Sequence, residues 1–266
     1  MVRKLILFQP FGSTGVSYPH TKLRPFLVFF MDRVLQNYIT PPLLLKQRKF
    51  HIRAYALAVG ALHVYLNVDC LALCSGTRYS VNDTENLFAH ITNTAFQDLD
   101  PNFSEEDCIY LWSPSIISPI LVGDKTCKTL EEAQEKVEHT IEQMKAITGE
   151  LFRAYESEFG VFSPIEGCFE HYGLDFVVDQ NWTVYLLEVN PGPDFKQTRD
   201  RLGCVIEHLM VDTAKAALLP LVVRLQTDKQ DTDDTQIKSR IGRLELVCTQ
   251  QTRGSRSGGK PSMVVT

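Results

Sequence analysis

The sequence predicts an α+β fold, an antiparallel sheet packed with helices, and three stretches predict it. Phe50–Val59 (FHIRAYALAV) alternates as a strand does, the segment from Thr129 carries apolar residues at helical spacing, and Cys168–Asn190 reads as a two-faced β-hairpin. At 266 residues, with 44% hydrophobic and 22% charged residues, the chain can bury one sizeable core or two small ones.

Taken in order, residues 1–25 hold Pro10, Gly12, Gly15, Pro19 and Pro25 with little periodicity and read as an irregular lead-in. Pro25–Ile39 is dense in aromatic and β-branched residues, so a buried strand ends near Ile39, where Pro41–Pro42 break it. Phe50, Ile52, Ala54 and Ala56 then share one strand face, and His51, Arg53, Tyr55 and Leu57 the other. A turn at Gly60–Ala61 leads into His63–Val68 and a short strand at Leu71–Cys74, giving an antiparallel meander. Leu87–Gln97 fits helix or extended chain, and the prolines of Asp98–Lys128 predict a long loop. Thr129-x-x-Glu132 is a capping box, followed by an apolar stripe at Leu130, Ala133, Val137, Ile141, Met144, Ile147, Leu151 and Tyr155. Gly149 weakens that helix without ending it. A second helix is predicted from about Arg199 to Leu218, with Pro220 as its stop. Residues 223–266 turn polar and read as a mostly disordered tail with one orderable stretch, Ile241–Cys248.

In the hairpin, an even loop centred on Gln180–Asn181 puts Asp175 opposite Leu186. Leu174, Phe176, Val178, Tyr185, Leu187 and Val189 then form one apolar face, and Asp175, Asp179, Glu188 and Asn190 lie on the other. An odd loop would scatter both sets, so the pattern selects the even register. Asp175 lies one diagonal from Glu188, and Asn190 is two residues further along. Three oxygen-bearing side chains in that arrangement suit Mg2+ that also holds phosphates; otherwise they form a solvated face.

Other chemistry is excluded more simply. A net charge of −5 argues against a general nucleic-acid binder. The seven cysteines contain no C-x-x-C pair, which disfavours a zinc ribbon and points to a reducing compartment. No apolar run is long enough to span a membrane, and the apolar patch of Met1–Pro10 is too brief for a signal segment, so the expected location is cytoplasmic.

Arg48-Lys49-Phe50-His51-Ile52-Arg53, His90-Ile91-Thr92-Asn93, Gly173-Leu174-Asp175-Phe176 and Leu187-Glu188-Val189-Asn190 together resemble the tubulin–tyrosine ligase family, within the ATP-grasp superfamily. The resemblance covers about residues 26–220 and implies an ATP-grasp-like C-terminal domain over 26–222. It also implies ATP- and Mg2+-dependent joining of a free amino acid to a protein acceptor, with tubulin as the expected acceptor, through an acyl phosphate. Asp175, Glu188 and Asn190 match the family's metal ligands; Gln36, Asn37, Tyr38 and Ile39 match the hinge that meets adenine. Lys49 and Arg53 match basic residues near phosphate and substrate carboxylate, and Thr92 and Asn93 match polar residues of the acceptor-side pocket. Arg53 and Asn93 are the expected catalytic residues, and Lys49 and Thr92 are grouped with the hinge as nucleotide-binding. His51 stands where an acidic residue is usual, and Leu73 where an arginine is expected. The upstream lysine-bearing region has no counterpart in the first 25 residues. These departures leave a non-catalytic binding module as the alternative.

Overall fold

The computed structural model describes residues 5–8, 34–60, 62–101, 103–156, 165–198, 202–227 and 238–249. The chain divides into two units, Met1–Thr40 with Ser255–Thr266, and Pro41–Gly254. In the first unit, β1 (Leu5–Phe8) pairs antiparallel with β2 (Val34–Asn37), Leu5 opposite Asn37 and Phe8 opposite Val34. The apolar run LILF thus forms a strand inside the stretch that sequence alone left irregular.

The second unit is built on β4 (Arg48–Val59), a buried strand whose backbone N–H and C=O groups need a neighbour on each edge. One edge pairs with β8 (Phe169–Val178) over Ile52–Val59. The other is shared end to end: β5 (His63–Asn67) takes Ala56–Val59, and β6 (Cys70–Cys74) takes Phe50–Arg53. β3 (Leu44–Leu45) folds back on Arg48–Lys49, β7 (Ile109–Trp112) extends the sheet beyond β6, and β9 (Val184–Pro191) lies beside β8. β10 (Arg240–Ile241) and β11 (Leu244–Thr249) add to β5 from the C-terminal side.

The two faces of β4 meet different helices. Phe50, Ile52, Ala54, Ala56 and Ala58 are buried in one cluster with Ala133, Val137, Met144 and Phe152 of the long helix Leu130–Tyr155. Thr129 caps that helix, its Oγ1 accepting from Glu132 N at 3.2 Å, while Glu132 accepts from Lys128 N at 2.8 Å. The buried stripe is shifted from the expected one. Thr140 and Thr148 are buried because their hydroxyls donate to Lys136 O and Met144 O, whereas Leu130 and Tyr155 are exposed. On the opposite face, Tyr55 and Leu57 pack with Leu209, and Leu71, Leu73 and Ile109 with Val205, both from the helix Gly203–Thr213.

Two proline readings are corrected. The expected loop Asp98–Lys128 contains a single helical turn at Glu105–Cys108, β7 and the helix Pro114–Gly123. Pro114 opens that helix, where its missing N–H costs nothing, and Pro119 forgoes only the bond to Ser115. Pro220 does not end the C-terminal helix either. A π turn at Ala214–Leu218 precedes it, and helix resumes over Leu219–Thr227.

Gly149 is the contact point between the long helix and β11. A Cβ there would stand 2.5 Å from the Val247 carbonyl oxygen, a backbone atom with little freedom to yield. Gly149→Ala should therefore destabilise the fold. Overpacking of roughly 1–3 kcal/mol outweighs the helix-propensity gain of about 1 kcal/mol. Gly123→Ala, with nothing within 4 Å of its added Cβ, is the neutral control, and urea midpoints of the two variants check the difference.

Candidate active site

Strand register composes the site. Arg53 of β4 lies opposite Asp175 of β8, which lies opposite Glu188 of β9, so three side chains form one row across three strands. The next row is Tyr55, Gly173 and Asn190. Asp175 and Glu188 are therefore directly opposed, not diagonal. The hairpin loop is odd, with Val178 opposite Val184, and a bulge between Asp175 and Phe176 leaves Leu187 unpaired and exposed. The bulge restores, below it, the parity that the odd loop shifts above it. Glu188 and Asn190 consequently stay on the face of Asp175, while Tyr185 moves onto that face and Val184 and Leu186 join Phe176 and Val178.

Asp179 leaves the expected polar set. Its Oδ1 accepts from Asn181 N at 2.8 Å and Thr183 N at 2.9 Å, which ties the loop. Gln143 of the long helix fixes the tip from outside, donating to Trp182 O at 2.8 Å and accepting from Val184 N at 3.2 Å.

At the centre of the row, Arg53 Nε and Nη2 donate to the two oxygens of Asp175 at 2.5 and 2.9 Å, both side chains being buried. Burial works against the guanidinium charge, but Asp175 more than offsets it and raises the Arg53 pKa. Gly173 leaves the room: a Cβ there would lie 2.9 Å from Pro193 Cβ and 3.0 Å from Arg53 Nη1. Pro193 reaches that position because Gly192, at φ +60°, turns the chain after β9. Arg53 Nη1 has no acceptor among the described residues.

Glu188 is exposed as a residue, yet its carboxyl is partly shielded. This shielding and then Asp175 raise its pKa above the usual carboxylate range, with Asn190 and Arg53 pulling the other way. Asn190 donates Nδ2 to Glu188 Oε1 at 3.1 Å, which leaves its own amide oxygen unused by that contact.

The loop at 90–93 closes the other side. Lys49 Nζ donates to His90 O at 3.0 Å, and His51 Nδ1 lies 2.6 Å from Thr92 Oγ1. His51 Nε2 faces Asp175 Oδ1 at 3.6 Å. Burial, then Arg53 and Lys49, lower the His51 pKa to about 3, so the imidazole is neutral. Asn93 is exposed and caps the turn Thr94–Gln97, its Oδ1 accepting from Phe96 N at 3.3 Å. Leu73, beside His51 on β6, is buried among Leu71, Ile109 and Val205.

The structure thus gathers Lys49, Arg53, Thr92, Asp175, Glu188 and Asn190. Gln36, Asn37, Tyr38 and Ile39 belong to the other unit, Gln36 and Asn37 within β2. Sequence reasoning did not find His51 as a hub or Gly173 as the space for Arg53. The alternation of β4 carried a signal for the first, because it puts residues 49, 51 and 53 on one face.

The sequence profile of the tubulin–tyrosine ligase family matches residues 31–229. A probable tubulin–tyrosine ligase of Schizosaccharomyces pombe is 38% identical over 203 residues, covering 75% of this chain and 44% of that protein. A probable tubulin–tyrosine ligase of Saccharomyces cerevisiae, PBY1, is 34% identical over 217 residues, covering 76% of this chain and 26% of that one. The bovine probable tubulin polyglutamylase TTLL9 is 31% identical over 163 residues, covering 60% and 33%. The chain therefore spans less than half the length of these relatives. Among solved structures, the C-terminal domain of K. lactis Pby1, described as an ATP-grasp enzyme interacting with the decapping enzyme Dcp2, superposes with a TM-score of 0.55 at 24% identity. It covers 83% of this chain and 54% of that one, which places the fold with ATP-grasp domains. With the family profile matched over most of its length, the chain belongs to the tubulin–tyrosine ligase family.

Proposed function

We propose that the chain is an ATP- and Mg2+-dependent ligase of tubulin–tyrosine ligase type, joining an amino acid to a protein acceptor by an amide bond through an acyl phosphate. The row Arg53–Asp175–Glu188 carries this reading. Two opposed carboxylates, one with raised proton affinity, form an all-oxygen donor set with the amide of Asn190 that fits Mg2+. Bound there, Mg2+ would neutralise charge on a transferring phosphoryl group. Arg53, its fork anchored on Asp175, keeps Nη1 to bind an anionic phosphate or carboxylate oxygen. Lys49 adds positive charge on the same strand face, and Thr92, held by His51, and Asn93, the cap of Thr94–Gln97, are the proposed acceptor-side residues. By its match to the family's hinge, Gln36–Ile39 of the other unit would supply the backbone contact to adenine.

Relatives named as tyrosine ligases, polyglutamylases and glycylases suggest tyrosine, glutamate and glycine as amino acids to test, with tubulin as the acceptor. Seven free thiols suit a cytoplasmic setting. Among the described residues no helix is long and apolar enough to cross a membrane.

One observation favours a second reading, a non-catalytic protein-binding module. Asp175 is already bidentate with Arg53, and Leu71 and Leu73 of β6, opposite Arg53 and His51, are apolar, so part of the row is satisfied without a ligand. In that reading the partner is tubulin or, as for the Pby1 neighbour, a protein of mRNA decapping.

Calorimetry with Mg-ATP separates the two. The ligase reading expects binding that Glu188→Gln weakens more than about tenfold, since even groups that only support a metal's ligands matter by 10–100-fold. No nucleotide binding by the intact chain overturns it. Asp175→Asn should also cost about 3 kcal/mol in urea unfolding, because it strands a buried guanidinium, whereas Glu188→Gln should not. The raised pKa of Glu188 has a sign of its own. Without Mg2+, its contribution is complete below the unfolded carboxylate pKa and is lost as pH rises through the raised folded value. Urea midpoints should fall over that interval in the wild type and less in Glu188→Gln.

A further inference from the structure

His51 reaches both sides of the site. Its ring is buried on the β4 face between Lys49 and Arg53, with Nδ1 2.6 Å from Thr92 Oγ1 and Nε2 3.6 Å from Asp175 Oδ1. Asp175 is a carboxylate whose two oxygens already accept from Arg53. A bare Nε2 would turn its lone pair toward a charged acceptor, so the ring proton belongs on Nε2. Nδ1 is then an acceptor, and Thr92 must donate its hydroxyl proton.

We propose that His51 is a positioning residue. In the Nε2–H form it takes the Thr92 hydroxyl proton at Nδ1 and thereby holds the 90–93 loop at one distance from the Arg53–Asp175–Glu188 row. Lys49 fixes the same loop one residue pair away, through His90 O at 3.0 Å, so loop and row are tied at two points along one strand. Two ties restrict rotation as well as translation, which a single tie would allow. The catalytic consequence rests on the ligase reading; the tautomer and the tether do not.

The test uses the full chain labelled with 15N-histidine, with His51 assigned through His51→Gln. Two-bond proton–nitrogen correlations at neutral pH should show the Nε2–H tautomer, and Thr92→Val should displace the Nδ1 signal while the thermal midpoint stays near that of the wild type. An Nδ1–H tautomer, or an Nδ1 signal indifferent to Thr92→Val, overturns the proposal whether or not the chain ligates. Where ligation is observed, His51→Leu and Thr92→Val should each lower kcat about 10–100-fold with little change in KM for ATP. His51→Asn, which keeps a polar partner for Thr92, should recover part of the loss. A double variant no slower than the slower single supports a shared tether; additive losses overturn it.

Discussion

The buried Arg53–Asp175 pair is the constraint that the surrounding structure satisfies. Each charge costs several kcal/mol to bring out of water, and only good geometry with further hydrogen bonds offsets that cost. The geometry is supplied by register: β8 must meet β4 with Asp175 opposite Arg53, and no one-residue slip preserves the pairing. Space is supplied by Gly173, where any side chain would displace the guanidinium or Pro193. Pro193, buried itself, packs at Gly173 after the turn at Gly192.

Much of this was legible because sheet patterning has a short period. The alternation from Phe50 to Val59 gives both faces of β4, and the face shared by His51 and Arg53 is the one that carries the row. The hairpin was harder. An odd loop and a bulge are each a shift of one, and together they cancel for residues beyond Leu187, so the polar set Asp175, Glu188 and Asn190 survives a misread loop. Tyr185 lies on the loop side of the bulge, where only one shift acts, and is therefore misplaced. Asp179 was unreadable for another reason. A carboxylate that caps backbone N–H groups has the same letter as one that faces a ligand.

The prolines of 98–128 and Pro220 show the limit of reading breakers without context. At a helix's first position a missing N–H has no partner to lose, and after a π turn the bonding is already offset. Gly149 fails differently. Its helix signal is local, while its reason is a strand almost a hundred residues away in sequence, whose carbonyl packs where a side chain would be.

Along the row, Arg53 and Asp175 are buried and Glu188 is exposed, and the two covering helices meet the sheet elsewhere. The long helix takes the Ile52–Ala54 face, and Gly203–Thr213 takes the other face only over Tyr55, Leu57 and β6–β7. The row runs from buried Arg53 on β4 to exposed Glu188 on β9, with a different need at each end. Among the described residues Arg53 Nη1 has no acceptor, and Glu188 is held above its usual pKa by burial and then by Asp175. A lone anion would answer Arg53 and aggravate Glu188; a lone cation would do the reverse. A divalent cation carrying an anionic phosphate answers both together. On the proposed ligase reading, that is why a divalent cation carrying a phosphate, and not either ion alone, is expected at the row.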